Sequence, residues 1–115
     1  MPYLAIRTNL ALDEATAEEL SRRASTTVAG ELGKPEGYVM VEITPGVNLR
    51  FGGSTEPAAY MELKSLGLPE ERTGEFSAAL CDLAGEFGIP AERIYIEFAG
   101  PDRHLWGFRR TTFAG

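Results

Sequence analysis

Gly33-Lys34-Pro35 runs into Tyr38-Val39-Met40-Val41-Glu42-Ile43, and Gly88-Ile89-Pro90 runs into Arg93-Ile94-Tyr95-Ile96-Glu97-Phe98. The second stretch repeats the first at an offset of 55 residues, aligning Glu42 with Glu97 and Ile43 with Phe98. Upstream, the same offset aligns Pro2 with Pro57, Ile6 with Met61, Val28 with Leu83 and Leu32 with Phe87. A period this long marks a duplicated supersecondary unit rather than the turn of a solenoid.

Each copy reads as strand, helix, strand. Leu4 and Ile6 alternate with Tyr3, Ala5 and Arg7 at the period of a half-buried strand. Asp13 is placed to cap a helix that runs to Leu32, with Ala17, Leu20, Ala24, Val28 and Leu32 on one stripe. Gly33 then ends the helix, and Pro35 prevents it from continuing. The second copy carries a strand near 58–64 and a helix with the stripe Phe76, Ala79, Leu80, Leu83 and Phe87, ended by Gly88 and Pro90 in the same manner. Thr44-Pro45-Gly46 and Phe51-Gly52-Gly53-Ser54 mark turns in the join, and a short last strand is expected near 108–113.

Two right-handed βαβ units put both helices on one face of a shared sheet. The expected fold is therefore α/β: a two-fold βαβ repeat, a four-stranded mixed sheet and two helices on one face, in a single domain over residues 1–115. The opposite sheet face carries Tyr3, Ala5, Tyr38, Met40, Tyr60, Tyr95 and Glu97, too aromatic to be left wholly in water and too polar for a dry core. A chain this short has no third layer to cover it. Self-association through that face, in a ring with a partly wet centre, is the expected solution.

Bulk composition narrows the functional class. The 115 residues are 43% hydrophobic and 24% charged, with a net charge of -6. That balance argues against a nucleic-acid backbone as partner but leaves room for a small anion held by a local cation. No apolar run approaches the roughly 18 residues of a membrane helix, and the start of the chain lacks the pattern of a secretion signal, so no membrane partner and a cytoplasmic location are expected. The single cysteine, Cys81, cannot form an internal disulfide, and its place on the flank of a helix stripe reads as packing rather than as a nucleophile. His104 stands alone, without a ligand cluster, so neither a metal nor another cofactor is expected. Gly52-Gly53 is not followed by the Lys-Ser/Thr of a phosphate loop.

The chemistry concentrates at the N-terminus. Removal of Met1 would expose the secondary amine of Pro2, a base on a rigid ring. Burial beside another cation would bring such an amine toward neutrality, where general acid-base catalysis is most effective. Taken alone, Pro2 is also simply a common second residue. With Met1 retained, its nitrogen is an amide without useful basicity. Lys34, held between Gly33 and Pro35, could bind a carboxylate and lower the pKa of the amine; taken alone, it reads first as the cation that complements a helix C-terminus.

In combination, Pro2, Thr8-Asn9, Gly33-Lys34-Pro35, Phe51-Gly52-Gly53-Ser54-Thr55-Glu56-Pro57, Lys64-Ser65-Leu66-Gly67, Arg93-Ile94-Tyr95-Ile96 and Thr112-Phe113-Ala114 span nearly the whole chain in one order. This pattern resembles the macrophage migration inhibitory factor family of the tautomerase superfamily. The resemblance implies a homotrimer of βαβ repeats and cofactor-independent keto-enol tautomerisation of phenylpyruvate-type and dopachrome-type substrates, small aromatic 2-oxo acids among them. By motif, Pro2 would be the catalytic base and Lys34 the carboxylate anchor, with Ser65 and Leu66 contributing backbone contacts. Tyr38, Tyr95, Trp106, Phe108 and Phe113 would form an aromatic lining, with Tyr95 and Glu97 arriving from a neighbouring subunit.

Some positions depart from the family pattern. Glu97 stands where mammalian members carry a neutral asparagine, so it could repel an anionic substrate, stabilise the Pro2 cation or act as a further acid-base group. Arg109-Arg110 replaces a neutral, amide-rich stretch and could pair with Glu97 or attract anions. Ala58-Ala59-Tyr60-Met61 occupies the place of a Cys-x-x-Cys segment, which removes two-cysteine redox chemistry. The competing reading is a cytokine-like signalling or interaction protein with a vestigial pocket, secreted without a classical signal. Proline-dependent hydration with dehalogenation is a third, for which Glu97 and Arg109 would activate water and bind a carboxylate.

Overall fold

A computed structural model describes residues 1–115. The first copy comprises β1 (Tyr3–Thr8), α1 (Glu14–Leu32) and β2 (Met40–Thr44); the second comprises β3 (Ala59–Lys64), α2 (Thr73–Gly85) and β4 (Ile94–Ala99). The sheet order is β2-β1-β3-β4, with β1 parallel to β2, β3 parallel to β4, and the two copies joined by the antiparallel β1–β3 pair. Ile6 lies directly opposite Met61 in that pair. These two residues are also equivalent by the 55-residue offset, so the local two-fold relating the copies passes between them.

Local chemistry accounts for the first helix. The Asp13 carboxylate accepts a 2.7 Å bond from the Thr16 N–H, as an N-cap should. At the other end Gly33 adopts a left-handed φ of 63°, and the Lys34 N–H returns to the Ala29 carbonyl at 3.0 Å. Leu20, Ala24, Val28 and Leu32 are buried as the stripe requires, whereas Ala17 lies at its half-exposed margin.

The second helix departs from its expected outline. It ends at Gly85, not beside Gly88, and its buried stripe is Phe76, Leu80, Leu83 and Ala84, with Ala79 half-exposed. Phe87 packs against the core from the following turn, where its N–H bonds to the Ala84 carbonyl at 3.0 Å. The small Ala84 ends the buried stripe, and beyond it Phe87 packs against the core while Ile89 is buried in it.

Both helices share one core with the sheet, built on Leu4, Ile6, Met61, Leu63 and Ile94. Burying each such side chain contributes about 1.5–3 kcal/mol. The opposite sheet face is open. Glu42, Ala5, Glu62 and Glu97 form a single row across it, flanked by the row Met40, Tyr3, Lys64, Ala99 and the row Thr44, Arg7, Tyr60, Tyr95. Tyr38, expected on this face, belongs instead to the short turn Glu36–Tyr38 before β2. The last strand is a small hairpin of its own, β5 (Gly107–Phe108) with β6 (Thr111–Thr112), separate from the main sheet. No helix is long and apolar enough to cross a membrane.

Candidate active site at the start of the first strand

Topology gathers one end of the sheet. β1 and β2 begin where β3 and β4 finish, so Pro2, the turn before β2, and the Lys64-Ser65-Leu66 exit from β3 meet there, and the hairpin after β4 folds over them. Pro2 is fully buried, and its carbonyl accepts a 3.0 Å bond from the Met40 N–H. In front of it lies a cavity of about 820 Å³, lined by Met1, Pro2, Tyr38, Trp106, Phe108 and Phe113 together with Tyr3, Gly37, Val39, Met40, Lys64, Gly107 and Arg109. This size and apolar lining suit a small organic ligand.

The aromatic side chains form a connected wall. Phe108 and Phe113 stack with centroids 5.2 Å apart, and Tyr38 meets Phe108 edge-on at 6.2 Å. The Phe113 N–H bonds to the Trp106 carbonyl at 3.1 Å, and Arg103 Nε donates to the Phe113 carbonyl at 2.9 Å. The hairpin turn is unusual, because Arg109 and Arg110 both hold left-handed φ, at 52° and 69°. Asn-Gly is the low-energy choice for such a turn, and other residues incur roughly 1–2 kcal/mol each. The Arg109 guanidinium lies 5.4 Å from the Phe108 ring centroid, facing the aromatic wall.

Lys34 and Leu66 line an adjoining cavity that shares Met1 and Phe113 with the first. Lys34 Nζ donates to the Leu66 carbonyl at 3.5 Å. The α-amine of Met1 is held below its ordinary pKa, chiefly by burial and secondarily by the Lys34 charge. Ser65 is completely buried beneath this floor, with its hydroxyl donating to the Leu66 carbonyl and its N–H to the Ala99 carbonyl.

Two anticipated residues stand elsewhere in the chain. Tyr95 is the second residue of β4, near the opposite end of the sheet and about 13 Å along the strand from Ala99, and packs on Phe51 at 4.8 Å. That contact is backed by Arg93, whose guanidinium lies 5.2 Å from the Phe51 ring centroid. Glu97 lies in the middle row of the open face and accepts a 3.4 Å bond from the Tyr60 hydroxyl. Burial, with Glu97 and Glu62 nearby, pushes the Tyr60 phenol up, while the Tyr3 phenol is pushed up mainly by its 2.6 Å bond to Glu42. Neither Tyr95 nor Glu97 touches the Pro2 cavity within one chain. Arg109 makes no ion pair with Glu97.

Among the lining residues that sequence reasoning did not place at the site, Lys64 is one that carries charge. Its signal was its alternation with Tyr60 and Glu62 on the open face. The half-buried Cys81 thiol is pushed up by burial, which keeps it protonated and a poor nucleophile. No three His, Cys, Asp or Glu side chains converge in a way that could hold a metal ion.

Comparison with known proteins agrees with this architecture. Residues 1–114 match the family model described as macrophage migration inhibitory factor. The macrophage migration inhibitory factor homolog of Brugia malayi is 37% identical, over 98% of this chain and 99% of that one. The solved homologue from Prochlorococcus marinus superimposes with a TM-score of 0.90 at 40% identity, covering 96% of this chain and 98% of its own. The Trichinella spiralis structure gives 0.88 at 34% identity, with the same coverages.

Proposed function

The chain belongs to the macrophage migration inhibitory factor family, and on that premise we propose that it is a cofactor-independent keto-enol tautomerase acting on small aromatic 2-oxo acids. The observation that carries this reading is the buried Pro2 lining an aromatic cavity, at a chain start where the Met1 amine that precedes it is partly buried beside Lys34.

In the reaction, Met1 has been removed and the Pro2 nitrogen is a free secondary amine. With phenylpyruvate it takes a proton from C3, the electron pair of that C–H bond becomes the C2–C3 double bond, and the C2 oxygen gains a proton to give the enol. The reverse sequence returns the ketone, so no co-reactant is consumed. Lys34 anchors the substrate carboxylate, with the Leu66 and Ser65 backbone shaping its surroundings. Tyr38, Trp106, Phe108 and Phe113 enclose the ring. A base positioned this way contributes about 10²–10⁴-fold, and orientation adds to it.

The open sheet face is the reason for proposing a homotrimer. A neighbouring copy seated there would bring its Tyr95 and Glu97 to the Pro2 cavity, completing a wall that one chain leaves open. Purified protein, shown by intact mass to lack Met1, is expected to interconvert the keto and enol forms of phenylpyruvate in an ultraviolet assay. A correctly trimmed, assembled protein without that activity would instead be an interaction protein with a vestigial pocket.

A further inference from the structure

Charge in the cavity directly in front of Pro2 is one-sided. The chain has 17 acidic residues against 11 lysines and arginines, yet the charged side chains lining the cavity in front of Pro2 are Lys64 and Arg109, with no carboxylate among them. Lys34 lies in the adjoining cavity, beyond the shared Met1 and Phe113, where Arg103 and the carboxylates Glu70 and Asp102 also line the wall and Lys34 is the cation tied to the N-terminal amine. A ligand lying across the N-terminus therefore meets a cation at each end. Resting on the tautomerase reading, we propose that the preferred substrates are dianionic 2-oxo acids, whose first carboxylate is held at Lys34 and whose second carboxylate, at the far end of the molecule, is held by Arg109 with Lys64.

Three features support the assignment. Arg109 has no ion-pair or hydrogen-bond partner within the chain, so its planar fork is free to take a carboxylate in bidentate fashion. Its guanidinium is steadied over Phe108, a ring that is itself stacked on Phe113, and the left-handed turn fixes the backbone from which it projects. Lys64 has a single partner, Glu62 at 3.9 Å, a long and partly exposed contact that competes weakly with a bound anion. Glu97 of a neighbouring subunit would add one carboxylate against these two cations, leaving the cavity net positive.

The test compares 4-carboxyphenylpyruvate with phenylpyruvate, using protein freed of Met1. Wild-type protein is expected to favour the dianion in kcat/KM, and Arg109→Gln to lower the dianion-to-monoanion ratio about tenfold, the loss expected for one charge-assisted contact. Arg110→Gln makes the same change in net charge one residue away, on a side chain that does not line the cavity, and should leave the ratio unchanged. An unchanged ratio in Arg109→Gln, or an equal fall in both variants, overturns the proposal. Turnover of neither compound by the trimmed wild type would defeat the tautomerase reading separately. Calorimetric binding of the two compounds then decides the anion site, which is lost if Arg109→Gln weakens both equally.

Discussion

Lys34 and Leu66, thirty-two positions apart in sequence, are tied by a 3.5 Å bond from the ammonium to the carbonyl oxygen. The bond joins the end of the first helix to the exit from β3 and fixes the ammonium beside the N-terminal amine. The Met1 amine is held below its ordinary pKa by burial first and by Lys34 second, and the Pro2 amine that trimming would free lies one residue further along the chain.

Lys34→Ala is therefore expected to act twice. Loss of the anchor raises KM for phenylpyruvate about tenfold. Loss of a neighbouring cation is expected to raise the pKa of the Pro2 amine freed by trimming, and since the base must be unprotonated, the acidic limb of kcat/KM against pH should move to higher pH. A pH profile of the variant whose limb stays in place would show that Lys34 does not act on the amine.

Retention of Met1 converts the Pro2 nitrogen into an amide. Protein in which mass spectrometry shows Met1 to remain is expected to turn over phenylpyruvate about 10²–10⁴-fold more slowly than the trimmed form. Pro2→Gly, which leaves a primary amine without the ring, should fall between the two.

Tyr95 and Pro2 lie at opposite ends of the sheet, so a site that uses both must be shared between subunits. Sedimentation is expected to give three times the chain mass of 12.5 kDa. Tyr95→Ala and Pro2→Gly should each impair turnover, and co-expression of the two should restore part of it, because some mixed trimers contain an intact pocket. Absence of any recovery would place the whole site within one chain.

Asn9 fastens the long join between the copies. Its Nδ2 donates to the carbonyls of Leu49, Thr55 and Glu56, and its Oδ1 accepts the Ala58 N–H at 2.9 Å. Asn9→Ala leaves those backbone groups without their partner and is expected to cost about 1–3 kcal/mol, read as a lower urea midpoint.

Asp13 contributes four residues further on, as the N-cap of α1. Its bond to Thr16 holds the carboxyl below the usual carboxylate range, so the stability it adds is present above that range and lost as pH falls through the lowered value. Asp13→Ala should lower Tm by a few degrees near neutrality, and the difference from wild type should shrink in acid.

Much of this architecture was legible before any coordinates, because helix stripes, caps and strand alternation are local patterns. The stripe Leu20, Ala24, Val28 and Leu32 and the stop at Gly33 needed no neighbours to be read. The end of α2 was less legible. Gly88 resembles a stop, but where the helix ends depends on how Phe87 and Ile89 fill the core, which is a matter of packing. The aromatic positions after Gly100 could be named as candidates from the motif order, yet the hairpin that stacks Phe108 on Phe113 depends on a left-handed Arg109-Arg110 turn that composition does not advertise.

The sequence by itself determined the duplication, the two-layer fold and the identity of the N-terminal base candidate, since each rests on periodicity or on a residue's place in the chain. Only the tertiary structure decided which of the two equivalent ends is open, with a cavity in front of it. By the repeat, Pro57 answers to Pro2 and Ile89 to Lys34; but Pro57 lies inside the chain with its nitrogen acylated, and Ile89 is 1% exposed in the core. The duplicated end is closed by packing, and Arg93 binds the Pro57 carbonyl at 3.0 Å where the first copy has Tyr38. At the first end, three cations from distant parts of the chain gather around a partly buried amine, because antiparallel pairing of the copies brings the exit of β3 to the start of β1.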